Sequence, residues 1–436
     1  MKVPPQRRVY ILGAILLASL TICSRNFGDR GGPVFMASLT LAGIAYLLAI
    51  REFFRGRGAR ATPEFSRRIV IIALVLAAVW HVEFLRVPSG ADDDIHRYVW
   101  DGRLQRLGYN PYLVIPSDPA VMTLHTPETR SLNNPNLPSP YPPGAELFFR
   151  AVSTIQESTF ALKVAFVLCE FAIVLSLLDW LHSTRQSPHL VLAFAWNPLL
   201  AIEVAGSGHI DILGALLLIV SVAALARRWR ATAAVALGLA IAVKFLPLVL
   251  LPLYWKRVRI RDTALAIAVV GLLYVPFLNH GRIPMGSLGT YVQSFRFNGP
   301  VFAALDRVAP PQLLAGLAVL AGLATALWLR RASPALAPNT FAWPMAASLL
   351  FAPVVFPWYL LWLLPFLTSV STLLIIFWTV SIIPTYVMWH LRALGRPWGS
   401  LPAWVLVLEY GCVATAGALI ASRRLMRRAA PNTQVD

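Results

Sequence analysis

Three consecutive acids, Asp92, Asp93 and Asp94, open the polar stretch SGADDDIHRYVWDGRLQRLGY in a chain with only 20 acids against 38 lysines and arginines. Arg97, Tyr98, Asp101 and Arg103 follow directly. A carboxylate can take the proton from an attacking hydroxyl, and a guanidinium fork can grip two phosphate oxygens at once. The run continues with helical character until Gly108, which sets the acids at a helix N-terminus. One Asp there suffices as cap and dipole partner. Three exceed that need, so at least one is a candidate for chemistry. For Arg97 and Arg103 two roles stand side by side, phosphate recognition and snorkelling to lipid headgroups.

Further candidates are ionisable groups inside apolar segments, where their cost makes them functional by default. Glu203, His209 and Asp211 lie in NPLLAIEVAGSGHIDILG. They suit either a hydrogen-bonded brace, with His209 between acids, or contact with a sugar or acceptor. Lys244 sits amid apolar neighbours and needs an anion, which could be a lipid phosphate, a loop acid or a structural carboxylate. Tyr109, Tyr112 and Tyr141 occupy a stretch dense in proline and asparagine. They could stack on a sugar or sit in an interfacial aromatic belt. No His or Cys pattern has metal-ligand spacing, so neither a metal site nor a cofactor is expected; a divalent ion bridging Asp93, Asp94 and a phosphate is chemically feasible but unsupported. Cys23, Cys169 and Cys412 form no pairing framework.

What must position these residues follows from composition. The 436 residues are 57% hydrophobic and 13% charged, which excludes a soluble domain with a polar surface. Only helices or closed barrels satisfy every backbone group in lipid, and apolar runs of roughly 15 to 24 residues fit helices. The expected fold is an all-α polytopic membrane protein. Its net charge of +18 is spread in short clusters between spans, a positive-inside pattern rather than a nucleic-acid footprint.

Spans are expected at 9–23, 33–50, 69–87, 160–181, 189–205, 210–226, 263–278, 312–329, 340–356, 358–367, 373–389 and 404–420. The first, preceded by Lys2, Arg7 and Arg8, reads as a retained helix rather than a cleaved signal. The segment 231–255 is basic on both flanks and broken by Lys244, Pro247 and Pro252, so a re-entrant helical pair with its apex near 244–247 is expected. That makes about twelve crossings plus one re-entrant pair. Arg51, Arg55, Arg57, Arg60, Arg67 and Arg68 place the loop between spans two and three in the cytoplasm. The segment 88–147 is then an outer, periplasmic or extracellular loop, and the tail 423–436 and both termini are cytoplasmic. The whole chain, 1–436, reads as one transmembrane domain.

Taken in order, DDIHRYVWDGRLQRLGYNPY, YPPGAELFF, NPLLAIEVAGSGHID, AVKFLPLVLLP and FPWYLLWLLP resemble the GT-C superfamily of membrane glycosyltransferases. The resemblance is greatest to glycosyltransferase family 87, the polyprenyl-phosphate-mannose-dependent mannosyltransferases and their bacterial relatives. It implies a catalytic carboxylate in the first large outer loop, a role that falls on Asp94 by its spacing to Tyr98, with Asp93 second. Asp94 would be the general base of an inverting hexosyl transfer, read as mannosyl, to a lipid or glycan acceptor at the outer face of a bacterial cytoplasmic membrane. Lys244, Arg97 and Arg103 would hold the donor phosphate. Tyr98, Asp101, Tyr112, Tyr141, Glu203, His209 and Asp211 would contact substrate. One departure is that the loop follows the third span rather than the first, so the first two helices look like an N-terminal addition. The competing classes are a transporter or flippase of a lipid-linked or anionic solute, and a lipid-linked glycan polymerase or ligase.

Overall fold

A computed structural model describes residues 5–54, 67–90, 93–399 and 401–429, with side chains from 6 to 422 within those ranges. Asp92, the loop arginines Arg55, Arg57 and Arg60, Lys2, and residues 430–436 of the expected tail lie outside the described residues. The described chain is helical, with two isolated β-bridges, Asn279 to Arg282 and Phe297 to Val354, as its extended pairing.

Helix α1 (Pro5–Arg25) and α2 (Pro33–Phe53) form an antiparallel hairpin, with α3 (Arg67–Leu85) packed on α1. Pro33 starts α2 at a position where its missing N–H costs nothing. A polar helix α4 (Asp94–Arg106) leads through an irregular segment to the amphipathic α5 (Pro143–Ile155), and α4 packs against α5. The long apolar α6 (Thr159–Ser183) starts at Ser158, whose hydroxyl accepts the Ala161 N–H. Behind α4 the irregular segment has its own small core of Trp100, Leu104, Val121 and Leu132, with Trp100 stacked on His125 at 3.9 Å.

Eight described helices are long and apolar enough to cross a membrane, or nine if one bent pair counts as a span. The protein is therefore a multi-pass membrane protein, with fewer such helices than the sequence suggests. The difference arises where apolar runs do not fold as long helices. Asp211–Ala226 and Arg230–Val243 are short. Pro338–Leu350 spans 13 residues with Pro344 inside it, and 357–366 is two 3-10 stretches. Each proline withholds a helical N–H donor.

The two broken segments differ from expectation. The run 189–205, expected as one span, is a helix pair bent by 52°. Pro198 interrupts it, and the Asn197 side chain caps Leu199 N–H instead. The second arm closes in a wide π turn, Ala201–Gly206. In 231–255 the break falls at Lys244, whose backbone is extended (φ −161°, ψ 143°). A 3-10 turn (Leu246–Leu250) and a four-residue helix (Leu251–Tyr254) follow, in place of the second arm of a re-entrant pair.

Candidate active site

The start of α4, the turn 207–211, the break at Lys244 and the segment 356–359 converge on a cavity of about 280 Å³. Asp94 stands in its wall. Its Oδ1 accepts the Asn133 amide at 2.5 Å, and its Oδ2 lies 3.8 Å from His209 Nδ1. A fifth of the Asp94 side chain is exposed (21%). One oxygen is thus fixed in orientation, while the other is near an imidazole yet beyond hydrogen-bond reach of it. Burial raises the Asp94 carboxyl above its ordinary range, opposed by His209, the Asn133 bond and Lys244. A base with a raised pKa is better matched to neutral pH.

His209 is held on two sides. Its ring stacks on Trp358 at 3.9 Å with 8° between planes. Its Nε2 lies 3.1 Å from Glu203 Oε2, and Tyr386 donates its hydroxyl to the other Glu203 oxygen. The wide turn after the π segment brings the two together, because the Gly208 and His209 N–H groups both donate to the Glu203 carbonyl, at 3.1 and 2.9 Å. Glu203 is buried behind His209 and does not line the cavity, so the brace rather than the direct substrate contact describes it.

Lys244 also lines the cavity. Its ammonium bonds to Asp211 Oδ1 at 2.7 Å and lies 3.7 Å from the centre of the Tyr359 ring. The anion the sequence demanded is therefore Asp211, not a loop acid. Trp362 Nε1 donates to the same Asp211 oxygen at 2.7 Å. The Tyr359 hydroxyl meets that of Tyr291, which also lines the cavity.

Arg97 anchors through Nε to Asp101 (2.9 Å) and through Nη1 to the Leu137 carbonyl (2.9 Å). Its Nη2 is buried without a hydrogen-bond partner among the described residues, and Arg97 is among the residues that line the cavity. Asp101 is wholly buried and does not line the cavity; its structural role is to hold Arg97. Beside it Glu146 takes the Gln105 amide at 2.9 Å and the Ser139 hydroxyl. Burial and the neighbouring Asp101 charge push the Glu146 carboxyl well above its ordinary range.

Tyr98 and Tyr141 line the cavity, and Tyr98 stacks on Phe149 at 4.4 Å. Tyr112 does not; its hydroxyl donates to the Tyr141 carbonyl at 2.6 Å, bracing the loop. Asp93 touches the cavity, but its oxygens are engaged by Arg30 (2.7 Å) and the Gly90 N–H (2.7 Å). It is the N-cap residue of α4 without making a side-chain cap bond.

Arg103 is the clearest departure. It points away from the cavity, donating to the Leu124 carbonyl at 2.7 Å and to Glu157 at 2.6 Å. Arg103→Ala is accordingly expected to leave donor kcat/KM within about twofold while costing up to about 1 kcal/mol of stability, since this pair is partly exposed. Steady-state transfer kinetics and thermal unfolding measure the two. Among the described residues no group of three or more His, Cys, Asp or Glu could hold a metal ion.

Residues 15–258 match the protein family described as "Alpha-(1->6)-mannopyranosyltransferase, N-terminal domain". The chain belongs to this family. It is therefore a membrane-embedded mannosyltransferase, in agreement with the resemblance carried by its motifs, four of which fall within the matched residues. The match also includes α2 and the second half of α1, so most of the N-terminal hairpin is inside the family's domain. No curated protein matches the chain. Among solved structures, ArnT from Cupriavidus metallidurans, bound to undecaprenyl phosphate, is similar at 17% identity with a TM-score of 0.44, over 85% of this chain and 67% of that one.

Proposed function

We propose that the protein transfers mannose, with inversion, from a polyprenyl-phosphate-linked donor to a sugar hydroxyl of a lipid or glycan acceptor at the outer face of the membrane. The observation that carries this reading is Asp94, a partly exposed carboxylate held by Asn133, with its second oxygen free of hydrogen bonds among the described residues and facing the same cavity as Lys244. An α-1,6 bond, the linkage in the family description, makes the nucleophile a primary hydroxyl. Asp94 takes that proton as the oxygen attacks the anomeric carbon, and the bond to the donor phosphate breaks on the opposite face. Lys244 and Arg97, which both line the cavity, stabilise the charge that grows on the leaving phosphate. Inversion requires a β-linked donor for an α-linked product. No step here calls on a metal or cofactor.

The test is incubation of the purified protein with β-linked polyprenyl-phosphate-mannose and a mannosyl acceptor, with the product linkage read by NMR. An α-1,6 product is expected; a β product, or solute movement in proteoliposomes without sugar transfer, overturns the reading. The pH profile supplies a second check. Because only the ionised base works and burial raises its pKa, kcat/KM is expected to fall on the acid side with its limb above the ordinary carboxylate range. A limb at an ordinary aspartate value counts against Asp94.

A further inference from the structure

The turn joining α1 to α2 reaches the back of this site. Its sequence, FGDRGG, packs Phe27 edge-on against Phe84 at 5.7 Å and against Phe35 at 6.2 Å. Gly31 takes φ +85°, and a Cβ there would meet the Tyr386 carbonyl oxygen at 2.0 Å. Only glycine allows that approach. The turn so formed aims the Arg30 side chain inward, where it is 6% exposed.

The two ends of the Arg30 fork grip two different segments. Nη2 donates to Asp93 Oδ1 at 2.7 Å, and Nη1 donates to Ser207 Oγ at 2.9 Å. Asp93 is the residue before Asp94, and Ser207 is two before His209. The guanidinium carbon also lies 4.7 Å from the centre of the Phe27 ring. Gly90 completes the fit, because a Cβ there would fall 2.2 Å from Arg30 Nη2.

We propose that Arg30 is a positioning residue for mannosyl transfer: its guanidinium ties the Asp94 segment to the His209 segment and so fixes the geometry of the base. Arg30 does not line the cavity and touches neither substrate nor reacting atoms. It acts through Asp93 and Ser207. A forked donor is needed because the two acceptors belong to separate segments, and a lysine ammonium presents a point charge instead. The N-terminal hairpin is by this reading a working part of the catalytic site, and Asp93 serves as the anion that Arg30 holds. The proposal rests on the assignment of Asp94 as base.

The test compares Arg30→Ala, Arg30→Lys, Gly90→Ala and Asp94→Asn in one transfer assay on detergent-purified, monodisperse protein. Arg30→Ala is expected to lose about 10²-fold in kcat, with donor KM within about threefold, as a small misplacement of a reacting group does. Added guanidinium ion is expected to restore part of that kcat, which a general loss of packing would not allow. Arg30→Lys is expected to be intermediate. Gly90→Ala displaces the guanidinium while keeping every charge, and is expected to lose about tenfold in kcat. It decides the matter if Arg30→Ala does not fold. Wild-type kcat in Arg30→Ala, or in both Gly90→Ala and Arg30→Lys, overturns the proposal, as does a lost kcat without guanidinium rescue in a folded Arg30→Ala. If Asp94→Asn transfers mannose at the wild-type rate, the base assignment falls instead. If Asp94→Asn is dead and Arg30→Ala unimpaired, only the positioning role falls.

Discussion

Asp94→Asn lowers kcat by about 10²–10⁴-fold, the range associated with loss of a positioned general base. The substitution is chosen for what it keeps. An asparagine oxygen at this position still accepts the Asn133 amide, so the loop retains its anchor. It also removes a charge whose burial is unfavourable, so thermal stability should hold or rise slightly. Low activity with undiminished thermal stability therefore reports lost chemistry and not lost structure. Asp93→Asn is expected instead to lose stability together with transfer, because Asp93 is 4% exposed and paired with Arg30. Removing its charge leaves a buried guanidinium uncompensated, at a cost of about 3–5 kcal/mol. Transfer kinetics and unfolding curves of the two variants separate the roles. If Asp94→Asn retains transfer while Asp93→Asn loses it in folded protein, the two assignments are exchanged.

Much of this site was legible because lipid is an unforgiving solvent. Lys244, His209 and Asp211 stand out in apolar surroundings, and all three line one cavity. Asp94 stands out as an acid at the start of a helix in a basic chain. Arg97 and Arg103 of α4 were treated alike, yet helix geometry could have parted them. Arg97 and Asp101 are four apart and share a face, whereas Arg103, six residues on from Arg97, falls on another. That second face meets Glu157 and the small core around Trp100, not the cavity. Asp101 and Tyr112 were read as substrate contacts because polar residues in an outer loop look available. Their partners, Arg97 and the Tyr141 carbonyl, belong to the loop itself.

Other members of the site left no local signal. Asn133 lies in a proline-rich stretch without periodicity, and nothing in its neighbours announces a contact with Asp94, 39 residues earlier. Trp358 reads as one more apolar residue of a span until its ring is seen stacked on His209. Tyr386 is separated from Glu203 by 183 residues. The run 189–205 gave an apolar length suited to one crossing, but a length count is blind to what Asn197–Pro198 does to the helix. The wide turn after the π segment is what brings Glu203 to His209. Arg30 was passed over for a related reason: an arginine at the end of a span has an ordinary explanation in headgroup contact, and only the packed turn reveals its two acceptors.

Lys244→Ala lowers kcat/KM for the donor by about 10²–10³-fold, the scale on which loss of one well-placed electrostatic stabiliser acts. The same change has a structural consequence that must be separated from the catalytic one. Asp211 is 1% exposed, and without Lys244 its carboxylate retains Trp362 as a hydrogen-bond donor but no cation. Breaking such a pair from one side is expensive, though Lys244 is itself 26% exposed and solvent offsets part of the loss. The double variant Lys244→Ala/Asp211→Asn removes both charges while an oxygen at 211 still accepts from Trp362. It is expected to regain most of the stability lost by the single variant and little of the transfer rate. Unfolding curves and donor kinetics on the three proteins decide between the roles. If the double variant recovers donor kcat/KM along with stability, then Lys244 is a structural partner of Asp211, and the charge growing on the leaving phosphate must be met by Arg97 alone.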